Sequence, residues 1–225
     1  MEVFHMYKGV LFDLDGTLAD TFSDISNAAN TLLIRYGYPT RSREELLAAI
    51  SFGRREFIQR ILPSSVDDSM IQQAFDSYTD YYSVHFMDTT SPYDGLIELI
   101  TKLRENGYRI AVVTNKAHPN AVQMIEHIFP KGLFDGVWGL STLPPKPDPT
   151  IALTAAHAIG VSPSECYMVG DSELDILTAL NAGMTPVGVS WGYRPVEVLK
   201  ETGAELIAHT AAELEAILLC NRDSK

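Results

Sequence analysis

Asp13 and Asp15 close a short apolar run, Gly9-Val10-Leu11-Phe12, and are followed by Gly16-Thr17. On a strand, residues i and i+2 share a face, so this spacing predicts two carboxylates pointing the same way with Leu14 turned aside. Like charges held that close repel, and burial raises the cost. Such a pair persists if a cation lies between the groups or if one carboxyl keeps its proton, and both conditions suit chemistry on a phosphate. The alternative is a strand stopping at an Asp-Gly turn with both carboxylates in water.

Further polar groups fall at or just beyond other apolar runs. Thr114-Asn115 ends the run Arg109–Thr114, Lys146 lies in Pro144-Pro145-Lys146-Pro147-Asp148-Pro149, and Gly170-Asp171-Ser172-Glu173-Leu174-Asp175 follows Cys166–Val169. Thr114, Asn115 and Asp171 could each cap a helix, and Lys146 could be a solvated residue of a proline-rich connection. Four such groups converging on one sheet edge are hard to attribute to capping. A carboxylate attacks phosphorus if the phosphoryl oxygens are neutralised. Mg2+ takes hard oxygen ligands, which Asp13 and Asp171 can supply, and Asp175 stands four residues from Asp171 at helical spacing. Lys146 offers a point charge for the transferring group, and the Thr114 hydroxyl can donate to a phosphoryl oxygen.

The elements that must position these groups alternate. From Tyr93 onward the pattern predicts a helix over 95–106, a strand over 109–114, a helix over 119–127 and a strand over 134–138. A helix over 148–159, a strand over 166–169, a helix over 172–182, a strand over 185–190 and a strand–helix pair over 205–219 follow. Alternation of this kind means a parallel sheet covered on both faces. Roughly a hundred residues separate Asp13 from Thr114, whereas a strand–helix–strand step needs only about 30. The surplus lacks strand signals and reads as helices over 23–36, 42–50, 54–62 and 67–86. An insertion there follows the carboxyl end of the first strand, where open parallel sheets bind ligands, and so reads as a lid.

Composition narrows the classes. The chain has 225 residues, 46% of them apolar, and a net charge of −12. That charge argues against nucleic acid or an anionic membrane as partner and requires a local positive site for any anionic substrate. No apolar run approaches the ~18 residues of a membrane helix, and no basic flank precedes a long apolar core, so neither a membrane span nor a secretory leader is expected. Cys166 and Cys220 stand far apart, which excludes a disulfide framework and points to a reducing, cytoplasmic setting.

In this order, Asp13-Leu14-Asp15-Gly16-Thr17, Thr114-Asn115, Lys146-Pro147 and Gly170-Asp171-x-x-x-Asp175 resemble the haloacid dehalogenase superfamily of phosphotransferases. Val112-Val113-Thr114-Asn115-Lys116, Lys146-Pro147-Asp148-Pro149 and Val187-Gly188-Val189-Ser190-Trp191-Gly192-Tyr193 are similar to its phosphoglycolate phosphatase branch. The resemblance implies a doubly wound, mostly parallel α/β core of Rossmann-like type over 1–16 and 93–225, its first strand central, with an all-helical cap over 17–92. It also implies an Mg2+-dependent phosphatase that works through an aspartyl-phosphate. Asp13 would be the nucleophile, and Asp15 the general acid and base with its carbonyl on the metal. Thr114 and Asn115 would hold phosphoryl oxygens, Lys146 would neutralise charge, Asp171 would bind the metal and Asp175 would support it.

Departures separate the branches of that superfamily. Asp15 argues against dehalogenation, and no lysine lies between Lys8 and Lys102 to form a Schiff base from the cap. Ile25 stands where the sugar phosphomutases carry a histidine, which favours hydrolysis. Gly188-Val189-Ser190-Trp191-Gly192 matches the G-x-S-x-G pattern, with Glu205 and His209 in triad order, but the 19 residues from Ser190 to His209 leave no room for the intervening strands. In the cap, Ile50-Ser51-Phe52-Gly53-Arg54 resembles a substrate-facing loop, with Gly53 allowing close approach. Arg54 and Arg55 open a helix, an unfavourable place for cations, and are either substrate contacts or solvated. The substrate is expected to be a small phosphate ester such as phosphoglycolate, with a nucleoside monophosphate, a sugar phosphate or pyrophosphate as alternatives, and the chain a monomer or homodimer.

Overall fold

The computed structural model describes residues 8–50 and 53–219; Ser51, Phe52 and Cys220 lie outside the described residues. Two compact units are present, one formed by Met1–Asp20 with Pro92–Lys225 and the other by Thr21–Ser91. The second unit holds helices α1 (Phe22–Arg35), α2 (Arg43–Ala49), α3 (Arg54–Ile61) and α4 (Asp68–His85). Their ends are marked by local chemistry. Ser42 and Glu45 form a reciprocal capping box at α2, and the Asp67 carboxylate accepts from Met70 N–H at α4. Phe57, Tyr78, Tyr82 and Phe86 touch in succession as its aromatic core, Phe57 edge-on to Tyr78, Tyr78 stacked on Tyr82 and Phe86 tilted against Tyr82.

The first unit opens with β1 (Gly9–Phe12), and the two short strands β2 (Ala19–Asp20) and β3 (Ser91–Pro92), which pair with each other, mark where the chain passes from one unit to the other. Strands β4 (Arg109–Ala117), β5 (Gly136–Leu140), β6 (Cys166–Gly170), β7 (Thr185–Val189) and β8 (Leu206–Ala208) join β1 in a sheet of order β5-β4-β1-β6-β7-β8. Every pairing in it is parallel. Helices α5 (Leu96–Glu105), α6 (His118–Ile128), α7 (Thr150–Ala158), α8 (Glu173–Ala182), α9 (Val196–Thr202) and α10 (Ala211–Leu219) cover both faces. β1 and β6 are buried along their whole length because helices lie on each side, which is why they read as continuous apolar runs. Ala152, Ala155 and Ala156 of α7 and Ala179 and Ala182 of α8 pack with Leu11, Val113 and Met168 of the sheet. Small side chains let both helices approach the strands closely.

The strand order reverses at β1, which has β4 on one side and β6 on the other. The topological switch point therefore falls at the carboxyl end of the strand that leads into Asp13. No helix among the described residues is long and apolar enough to cross a membrane.

Several elements differ from the pattern read in the sequence. β1 stops at Phe12, so Asp13 and Asp15 lie on the turn beyond it and strand alternation does not set their directions. β4 runs on through Asn115 and Lys116 to Ala117, with its register shifted between Val113 and Ala117. The third long strand covers Gly136–Leu140, not 134–138, because pairing with β4 and not side-chain type decides where it begins. β2, β3 and α9 have no clear sequence signal; the first two are only two residues long.

Within the helical unit, Asp24 is buried near the start of α1 and accepts from both N–H and both hydroxyl groups of Thr89 and Thr90, at 2.6–3.2 Å. The carboxylate thus ties the first helix to the last residues of the unit. Asp24→Ala would strand these donors and should cost about 3 kcal/mol. A lowered urea midpoint checks this; an unchanged midpoint would show that the threonines find other acceptors.

Candidate active site

The turn after β1 is tight. Leu14 O accepts from the N–H groups of Leu18 and Ala19, and Gly16 adopts φ +85°. A Cβ on Gly16 would stand 2.5 Å from Asp171 Oδ2, so glycine is needed both for the backbone angle and for the approach of the neighbouring carboxylate. Leu14 is buried, while the side chains of Asp13 and Asp15 leave the turn toward different lysines.

Asp13 is 8% exposed and its N–H is held by Val169 O at 2.9 Å. Lys146, 4% exposed, places Nζ 2.8 Å from Asp13 Oδ1 and 2.5 Å from Asp175 Oδ1, and donates to Val113 O at 3.2 Å. The Lys146–Asp13 contact is an ion pair without hydrogen-bond alignment, and it leaves the buried Oδ1 of Asp13 with no aligned donor. Asn115 holds the lysine's main chain at both ends, accepting from Lys146 N–H at 2.8 Å and donating to Lys146 O at 3.2 Å. Lys146 is therefore no solvated linker residue, and the Asn115 side chain does not cap α6, whose N-cap is Ala117. Thr114 is buried, and its hydroxyl oxygen accepts from Lys116 N–H at 3.1 Å. Lys116 in turn donates to Asp15 Oδ1 at 2.8 Å.

Asp171 does not cap α8 either. Its Oδ1 accepts from the Thr17 hydroxyl at 2.7 Å and its Oδ2 from Tyr193 N–H at 2.8 Å. A Cβ on Gly192 would fall 2.2 Å from that of Asp171, and Trp191 Nε1 donates to Thr17 O. The 191–193 segment thus packs on Asp171 and helps to orient it. Ser172 caps α8, and Asp175 reaches back to the Ser172 N–H and hydroxyl at 3.0 and 2.6 Å. Asp175 consequently anchors both its own helix start and Lys146. Ser190 and His209 are hydrogen-bonded at 2.9 Å, and Glu205 and His209 stand at opposite ends of β8.

Oxygen atoms of Asp13, Asp171 and Asp175 lie within 4.8 Å of one another. Burial pushes the Asp13 carboxyl up to about 7, Asp175 adds to this, and Lys146 opposes it. Burial also holds Asp171 well above the ordinary carboxylate range, with Asp175 and Asp13 contributing in the same direction. For Lys146, burial alone would favour the neutral amine, but Asp13 and Asp175 outweigh it and raise its pKa, so it stays an ammonium. With all four carboxylates ionised, Asp15 included, they face two lysines, Lys116 and Lys146, an excess of two negative charges that one divalent cation would neutralise. An all-oxygen donor set and a buried Asp13 oxygen with no aligned donor fit a hard cation.

The raised carboxyls make a prediction about metal and pH. Folded Asp13 and Asp171 hold protons that an unfolded chain releases above about 3.8, so the metal-free fold loses stability as pH rises from there through about 7. A divalent cation needs the ionised forms and should therefore stabilise increasingly over the same window. The Tm difference between protein with MgCl2 and protein with EDTA should grow from about pH 5 to about pH 8. A difference that is absent or flat with pH would remove the carboxylates as its holders.

Comparison with known proteins matches this arrangement. A profile of haloacid dehalogenase-like hydrolases matches residues 10–189. The phosphoglycolate phosphatase of Thiobacillus denitrificans is 31% identical, over 92% of this chain and 93% of its own, and that of Chromobacterium violaceum is 31% identical over 92% and 94%. The crystal structure of a phosphoglycolate phosphatase candidate from Lactobacillus delbrueckii subsp. bulgaricus superposes with a TM-score of 0.89 at 29% identity, covering 95% of this chain and 98% of that one. With the motif order, the switch-point site and these likenesses in agreement, the chain belongs to the haloacid dehalogenase-like hydrolases.

Proposed function

We propose that the protein is an Mg2+-dependent phosphatase that hydrolyses phosphoglycolate through an aspartyl-phosphate. The observation that carries this reading is the buried Asp13 carboxylate set against Lys146 and within reach of Asp171 and Asp175. The names of the relatives support the choice of substrate.

In this reading an Asp13 oxygen attacks phosphorus, the bond from phosphorus to the ester oxygen breaks, and Asp15 gives its proton to the departing alkoxide. Water then attacks the aspartyl-phosphate phosphorus while Asp15 takes the proton back, releasing inorganic phosphate and restoring Asp13. Lys146 and the Thr114 hydroxyl face the charge that builds on the phosphoryl oxygens. Asn115 contributes its amide and keeps Lys146 in place. Asp13, Asp171 and the Asp15 carbonyl would hold Mg2+, with Asp175 in support, and the cation would neutralise phosphoryl oxygens that a −12 chain otherwise repels. Ionised Asp13 is the reactive form, and the positive charges around it favour that form against burial.

Selectivity is assigned to the helical unit. Gly53 precedes α3 with φ +86°, a conformation suited to glycine, and Arg54 lies over the Tyr82 ring at 5.7 Å. Arg54 is proposed to contact the anionic group of the substrate beyond its phosphate.

Purified protein with MgCl2 should show its highest kcat/KM on phosphoglycolate within a panel that includes nucleoside monophosphates, sugar phosphates and pyrophosphate. A different preferred ester overturns the substrate assignment and leaves the chemistry standing. Asp13→Asn should abolish turnover without loss of fold, as read by Tm; retained Mg2+-dependent turnover rules out the nucleophile. Arg54→Ala should raise KM for phosphoglycolate about 30-fold, a contact worth about 2 kcal/mol, and leave a small generic ester nearly unchanged. Unchanged specificity would make Arg54 a solvated residue at a helix start.

A further inference from the structure

Lys116 is the second buried lysine of the acidic cluster, and no step above uses it. Its side chain is 3% exposed, against 22% for Asp15, and its Nζ donates to Asp15 Oδ1 at 2.8 Å. A lysine buried to that degree costs free energy unless an opposite charge receives it. Strand alternation does not account for its place, because β4 shifts register between Val113 and Ala117. Within that irregular stretch the Lys116 N–H is fixed on Thr114 Oγ1 at 3.1 Å. The same two residues on either side of Asn115 are therefore tied together, with Thr114 near the proposed phosphoryl position and Lys116 on Asp15.

Asp15 needs such a hold. It lies on the turn beyond β1, bridged through its main chain to Ala19, and its side chain is the more open of the pair. A carboxyl that must give a proton to one oxygen and later take one from water has to keep one oxygen at hydrogen-bond distance from both. We propose that Lys116 is a positioning residue for proton transfer: it pins one oxygen of Asp15 from the buried side and so presents the other to the leaving oxygen and then to water. This rests on the phosphatase reading given above.

The test compares Lys116→Met, Lys116→Arg, Asp15→Asn and the Lys116→Met/Asp15→Asn pair, with Mg2+, on an alkyl phosphate and on an activated aryl phosphate. Leaving-group release is followed in a single turnover. The aryl ester needs little protonation, so misplacing the acid should matter little for it. Lys116→Met should slow the alkyl ester about 30-fold and the aryl ester by no more than about threefold, with Lys116→Arg recovering most of the loss. In the Asp15→Asn background the methionine should cost almost nothing more, because the residue it acts through is already disabled.

Equal losses on both esters with a lowered Tm would make Lys116 a structural counter-charge and overturn the proposal. Full additivity with Asp15→Asn would do the same. A wild type inert toward both esters overturns the phosphatase reading and this role with it, whereas an active wild type with unimpaired Lys116→Met overturns this role alone. Should Lys116→Met not fold, Lys116→Gln carries the same comparison between esters.

Discussion

Lys146 stands between the carboxylates of Asp13 and Asp175, and the site is organised around that pairing. Two buried acids and a third, Asp171, within 4.8 Å would force protons onto one another without a positive charge among them. One ammonium does not complete the compensation, which is why burial and mutual repulsion still hold Asp13 and Asp171 high. The residual negative charge suits a hard cation, and the cluster of three carboxylates could hold one. In a chain with a net charge of −12, an anionic substrate depends on such local inversion of sign.

Much of the surrounding structure keeps that arrangement from relaxing. Asn115 fixes the lysine's main chain, Ser172 fixes Asp175, and Thr17 with Tyr193 fixes Asp171. Gly16, Gly170 and Gly192 each stand where a side chain would overlap one of these carboxylates, so their absence of bulk is part of the site. Parallel strands deliver the four segments to one edge, and the switch of strand order at β1 opens the space between them. The alanines of α7 and α8 let these helices pack closely on the sheet that carries the site. Different means serve the helical unit: an aromatic core and a carboxylate, Asp24, that joins its two ends. It holds no carboxylate cluster of the kind found at the sheet edge among the described residues.

Element type was legible wherever one physical cause dominated. Buried parallel strands read as unbroken apolar runs, and helices with Ser, Asp or Gly at their ends could be bounded to within a residue or two: α2 with Ser42, α4 with Asp67, α5 with Gly95 and α8 with Gly183. Boundaries slipped where pairing with a neighbour took over. β4 extends past Thr114 and β5 starts two residues late because ladder partners, not side-chain preference, decide their extent.

The carboxylates, Lys146, and the order of the motifs were legible in the sequence itself, since each falls at or just beyond the end of an apolar run that reads as a strand. Partnership was not. The period-two argument for Asp13 and Asp15 placed both side chains on one face, yet the strand ends before them and each finds its own lysine. Lys116 read only as one residue of a family-like segment, and its partner, a residue 101 positions earlier, was not legible because β4 shifts register there. Asn115 read as a cap or as a phosphate ligand through its amide, and neither reading placed its side chain on a main chain 31 residues away. Local chemistry is written in spacing along the chain, but long-range contacts depend on which strands become neighbours, and that only the packed sheet decides.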